Sequence, residues 1–214
     1  MGSRNTLWHG CRLFGVVAGG LICIESAHAA DPKVPPATDV AGRTPVAVLT
    51  AGFDYTRPDI AVRLARDGEG EIIAWDIPGD DRYPYDAVGD TDLMAGLAGS
   101  LAATAPVSLL AVRVDPADPT SLAKGLAFVA RTPARVVVVP MWSSDKAAWE
   151  TFTRASAYFS DLRIAVRGCP DLPPGTAVYP RDLGLPNITA DGTAVLDSVS
   201  PMISYVAALP CRLP

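Results

Sequence analysis

Histidine is almost missing from this chain: His9 and His28 are the only two in 214 residues, and both precede the region where folded structure is expected to begin. Beyond residue 28 there is no imidazole to act as general base, zinc ligand or pH switch. Cysteine is scarce as well, with Cys11 and Cys23 near the amino end and only Cys169 and Cys211 beyond it, so a disulfide-dense small fold is excluded. Basic residues are outnumbered by acidic ones, 18 to 23, giving a formal charge of -5, which argues against a nucleic-acid partner. Long apolar runs are lacking: Leu13 to Ile24 holds 12 residues, three of them glycine, short of the roughly 20 that span a bilayer.

That short run has the pattern of a signal peptide. Arg4 and Arg12 precede it, and Ala27-His28-Ala29 supplies a small-residue cleavage site. Export to the periplasm or beyond the cell follows as the expectation, with residues 1–29 removed and no membrane span left after cleavage. Cys23 does not fit a lipid-modified cysteine, because Ile22 is large where that processing wants a small residue. Removing Arg4, Arg12 and Glu25 with the leader makes the formal charge one unit more negative, -6. Cys169 and Cys211 remain in a compartment that permits disulfides and form a candidate bridge.

With 49% hydrophobic and 19% charged residues, the remainder has the balance of a globular domain. Residues 30–44 contain three prolines and no periodicity, which predicts a flexible lead-in, and 45–214 are expected to form one domain. Short β-branched runs there alternate with helical spacing. Val46–Leu49, Glu71–Trp75, Leu109–Val114, Val136–Val139 and Arg163–Val166 predict strands, several apolar on both faces as in a buried parallel sheet. Thr91–Thr104, Thr120–Ala130 and a segment after Asp145 with Trp149, Phe152, Ser156 and Phe159 on one face predict helices. Right-handed crossovers would wind this β-α alternation into a doubly wound α/β sheet with helices on both faces.

Val46-Ala47-Val48-Leu49-Thr50-Ala51-Gly52-Phe53-Asp54-Tyr55-Thr56-Arg57-Pro58-Asp59-Ile60 resembles the first signature of the subtilisin-like serine proteases, a strand ending in Asp-Thr-Gly-Val-Asp before a His-Pro-Asp-Leu turn. Trp75-Asp76 and Asp80 to Asp86 resemble the family's acidic loop. Met94-Ala95-Gly96-Leu97-Ala98-Gly99 resembles the end of its Gly-His-Gly-Thr-His-Val-Ala-Gly helix start. Leu110–Val114 is similar to its next strand, Tyr179-Pro180 and Leu183–Thr189 to its Tyr-Pro-Ala and Asn-Val-Ile-Thr-Val stretch, and Tyr205–Leu209 to its central helix. In order, these pieces span most of 45–209.

The resemblance implies a subtilisin-like fold with its machinery dismantled. Thr50 falls where the family has its aspartate and Asp90 where it has its histidine. Threonine carries no charge to steady an imidazolium, and a carboxylate is a much weaker base than imidazole. Cys169 falls on the oxyanion asparagine, whose loss costs about a hundredfold or more in rate. Ser200, in Ser198-Val199-Ser200-Pro201-Met202, falls on the nucleophile, although Ser200 before Pro201 also suits a helix N-cap. Ser200 stands only ten positions after Ala190, so the family's C-terminal part is pruned, and Val138 to Ser143 replace its Ser-Leu-Gly substrate edge.

A related family that uses glutamate in place of histidine fits poorly, since Met94 stands where a second carboxylate is required. The acidic loop from Asp76 to Asp86 has ligands for calcium but is expected to be a solvated turn, and no cofactor is implied. The resulting expectation is a non-catalytic module that binds a protein or peptide. A residual hydrolase using Ser200, and a scaffold stapled by Cys169 and Cys211, are the alternatives.

Overall fold

The computed structural model describes residues 31–36, 42–101, 105–140, 146–166, 201–202 and 205–206. The chain divides between Ala30 and Asp31 into two units, and only the second contains described residues. It is a mixed α/β fold built on a five-stranded, wholly parallel sheet.

Strand β1 (Thr44–Thr50) lies at the centre, and its residues from Val46 to Thr50 are fully buried. β2 (Ala74–Asp76), β3 (Val107–Arg113), β4 (Val136–Val139) and β5 (Arg163–Val166) complete the order β2-β3-β1-β4-β5. Val46, Val48, Leu109 and Ala111 point to one face. They pack with Ile60 of the short helix α1 (Pro58–Ala61), with Met94 and Leu97 of α2 (Thr91–Ser100), and with Met202 and Val206. Ala47, Leu49, Leu110 and Val112 point to the other face, against Leu122, Leu126 and Val129 of α3 (Pro119–Val129) and Phe152 of α4 (Lys146–Ser156). Apolar residues on both faces are what a sheet covered by helices twice over requires, each large side chain contributing about 1.5–3 kcal/mol. α3 starts where Asp118 accepts from the Thr120 amide at 2.8 Å with Pro119 in the first turn.

Four expectations change in detail. β2 is shorter than Glu71–Trp75, because Asp67 accepts the amides of Glu69 and Glu71 (both 3.0 Å) and Gly70 turns at φ +87°; this draws Ile72 into an antiparallel bridge with Arg66 before the chain joins the sheet. α2 ends at Ser100, whose hydroxyl bonds back to the Leu97 carbonyl at 2.7 Å while Leu101 turns extended. Residues 31–36, read as part of a lead-in, have partners on the domain: the Tyr55 hydroxyl donates to the Pro32 carbonyl and Arg66 to that of Pro35, both at 2.7 Å, and Val34 packs against the core. Burial, reinforced by the Asp31 charge, pushes the Tyr55 phenol above its ordinary range, so it stays a donor.

The fourth concerns handedness. The steps from β2 to β3, β3 to β4 and β4 to β5 all move one way across the sheet, and β1 to β2 moves the other way. α1 and α2 cover one face, α3 and α4 the other. Reversing both direction and face preserves hand, so the units around α1, α3 and α4 agree. The β2-α2-β3 unit reverses the face alone and has the opposite hand. Since about 98% of such crossovers are right-handed, α2 sits in a left-handed one. It thereby shares the α1 face, with its first residue at the carboxyl edge of the sheet.

Candidate functional site

Parallel pairing lines up the carboxyl ends of three strands: Thr50 of β1 and Asp76 of β2 both stand opposite Arg113 of β3. This edge, where the chain leaves β1 for one side of the sheet and later returns to the other, is where open α/β sheets place their ligand sites.

Thr50 is fully buried, and Gly52 turns the chain away from β1 at φ +105°, a conformation few other residues adopt. The Thr50 hydroxyl accepts from the Gly52 amide at 3.2 Å and donates to Asp90 Oδ2 at 3.0 Å. The same carboxylate oxygen accepts the Ala51 amide at 2.6 Å, and the Asp90 amide donates to the Gly52 carbonyl at 2.6 Å. Asp90 occupies the N-cap position of α2 yet makes no side-chain capping bond there, its carboxylate being turned to the end of β1. Gly89 permits this approach, for a Cβ on it would fall on the Gly52 carbonyl oxygen.

Arg113 closes the edge from the other side. Its Nε donates to the Ala51 carbonyl at 3.1 Å, Nη1 to Asp76 Oδ2 at 2.9 Å and to the Tyr85 carbonyl at 3.5 Å, and Nη2 lies 3.7 Å from Asp86. Asp76 keeps 5% of its side-chain exposure and Arg113 30%, so the pair is largely withdrawn from water on the carboxylate side. Asp86 Oδ1 accepts the amides of Val88 and Gly89, each at 2.9 Å. Those backbone donors, with Arg113 adding to them, hold its carboxyl below the usual carboxylate range. Desolvation and the nearby charges of Asp81 and Asp76 push Asp31 the other way.

The other acidic-loop carboxylates serve the turn itself: Asp76 Oδ1 accepts the Gly79 amide at 2.9 Å and Asp81 Oδ1 the Tyr83 amide at 2.7 Å. Among the described residues no group of three or more histidine, cysteine, aspartate or glutamate side chains is arranged to hold a metal ion. Nor, among them, is any helix long and apolar enough to cross a membrane.

Of the site residues expected from sequence, Thr50 and Asp90 meet. Ser200, Cys169 and Cys211 lie outside the described residues, as does the Asn187-Ile188-Thr189 segment. Pro201 and Met202, next to Ser200, are helical, with Met202 fully buried. Met94, one turn into α2 from Asp90, is also fully buried in the core. The sequence pattern places Arg113 only within a strand, although a cation closing the run Val107–Val112 opposite an acidic loop is a visible signal for its role.

Chemically, the edge is a closed polar clasp in which the Thr50 hydroxyl and the Ala51 amide face the Asp90 carboxylate and the Val88 and Gly89 amides face Asp86, with one guanidinium tying β1, β2 and the acidic loop together. The protein is thus an α/β domain whose sheet edge holds a hydrogen-bonded clasp. No family model and no curated protein matches the chain.

Proposed function

We propose that this chain is an exported, subtilase-like module, pruned at its C-terminal part and without catalysis, which binds a protein or peptide partner. The observation that carries the reading is the 3.0 Å hydrogen bond between Thr50 and Asp90. These two positions are 40 residues apart and are the ones that the resemblance matches to the family's aspartate and histidine. A serine-protease triad needs that aspartate and histidine in direct contact, so their replacements touching at the carboxyl edge of β1 supports the correspondence. The same contact supports loss of catalysis: a threonine hydroxyl donating into a carboxylate supplies no imidazole to relay a proton, and both histidines of the chain lie at or before residue 28. The doubly wound parallel sheet fits a subtilisin-like fold, and the leader pattern of residues 1–29 fits release to the periplasm or the medium.

Casein digestion tests it. The purified exported protein and its Ser200→Ala variant are expected to leave casein intact to the same degree over a day. Digestion by the first and not the second overturns the reading in favour of a hydrolase using Ser200.

A further inference from the structure

On the face of the sheet opposite α2, the edge strand β2 and helix α3 flank an open groove of about 740 Å³. Its floor is apolar and half-buried: Trp75 and Phe128 stack with ring centroids 5.7 Å apart, and Ile73 and Ile77 extend the surface along the chain. One wall is formed by Lys124, Ala127 and Phe128 of α3, at spacings of three and one residues on one helix face, and by Arg131 in the turn that follows the helix. Both cations of that wall are exposed, and neither has a side-chain partner among the described residues. The opposite wall differs, since Arg82 is tied to Asp67 at 3.3 Å. The lining holds Lys124, Arg131 and Arg82 against Asp67 and Asp80, so that in a chain of formal charge -5 the groove carries a local excess of positive charge, concentrated on the α3 side.

We infer that this groove binds an extended peptide segment of a partner in which a large apolar side chain lies between two carboxylates. The inference rests on the binding function proposed above and names the surface and the chemistry of the partner. The apolar residue packs on Trp75 and Phe128, and the carboxylates reach Lys124 and Arg131. Side chains of an extended segment alternate between its two faces, so carboxylates on the same face as the apolar residue stand two positions to either side of it. Aromatic floor and cationic rim divide the work, the floor supplying affinity and the rim register and partner choice.

The test is selection of a random peptide display library on the purified exported protein and, in parallel, on its Lys124→Glu/Arg131→Glu variant. Both substitutions are at exposed sites, and circular dichroism with thermal melting checks that the variant folds as the parent does. A consensus of an apolar residue with an acid two positions to either side is expected from the parent. A synthetic peptide Gly-Glu-Ala-Phe-Ala-Glu-Gly is expected to bind the variant at least about tenfold more weakly than it binds the parent, while its Glu→Lys counterpart gains affinity for the variant. Peptides recovered equally from both proteins overturn the groove but leave a binding module elsewhere on the surface. Recovery of nothing from either overturns both the groove and the binding function. Concentration-dependent dimerisation that the variant abolishes, without peptide recovery, assigns the groove to a second copy of the chain and overturns the peptide.

Discussion

Replacing Asp90 with alanine removes the acceptor on which two donors converge, the Ala51 amide at 2.6 Å and the Thr50 hydroxyl at 3.0 Å. Hydrogen bonds to a charged group contribute about 1.5–3 kcal/mol each, and a donor left buried without a partner costs about 1–3 kcal/mol. Thr50 is fully buried, so its hydroxyl cannot turn to water, whereas half-buried Asp90 leaves room for solvent near Ala51. The net loss expected is about 2–4 kcal/mol. Thr50→Val keeps the shape, loses the bond to Asp90 and strands the Gly52 amide, for about 1–2 kcal/mol. Asp90→Asn retains one carbonyl acceptor and falls between wild type and alanine. Because Thr50 and Asp90 share one bond, the double variant Thr50→Val/Asp90→Ala should cost less than the sum by about 1 kcal/mol. Urea unfolding followed by tryptophan fluorescence measures this: with a slope of about 2 kcal/mol per molar, Asp90→Ala lowers the midpoint by about 1–2 M at constant slope. A midpoint shift under about 0.25 M, or strict additivity in the cycle, refutes the clasp.

Three further outcomes follow from the same edge. Arg113→Met leaves the nearly buried Asp76 carboxylate without its guanidinium and is expected to cost about 2–3 kcal/mol, below the range for a fully buried pair because Arg113 is 30% exposed; adding Asp76→Asn should restore part of it in the same urea assay. The depressed Asp86 carboxyl makes its contribution above the unfolded carboxylate value of about 3.9, and that contribution disappears as pH falls through the lower folded value, so the stability difference between wild type and Asp86→Asn should be full at pH 7 and vanish in acid. A difference that grows on acidification contradicts that sign. Gly89→Ala drives a Cβ into the Gly52 carbonyl, so hydrogen exchange at the Asp90 amide should accelerate more than exchange in β4, at a stability cost of about 1–3 kcal/mol.

How much of this was legible in the sequence differs by element. Val136–Val139 and Arg163–Val166 are strands over the ranges expected, and β1 and β3 each begin two residues earlier than expected, β1 ending one residue later and β3 one earlier, because short β-branched runs buried on both faces have few other solutions. Glu71–Trp75 misled, since its first half obeys the turn chemistry of Asp67 and Gly70 rather than its own strand propensity. The left-handed crossover could not be read at all: α2 carries apolar residues that suit either face, and the choice of face is made by the rest of the sheet. Thr50 and Asp90 were found through a motif resemblance, yet their hydrogen bond depends on Gly52 and Gly89 letting two backbones approach, a property no pairwise pattern announces. Arg113 acts through partners from three separate segments, Ala51, Asp76 and the 85–86 turn, so its role emerges only once the sheet places them together.

The central claim is that the edge occupied by Thr50 and Asp90 does not activate a serine. Fluorophosphonate labelling tests it most directly, because it reports a reactive serine without requiring a substrate to fit. The expected result is an intact mass of the purified protein unchanged after incubation with the reagent. A stoichiometric adduct that maps to Ser200, and is lost in Ser200→Ala, would contradict the account and require a proton acceptor other than histidine near that residue.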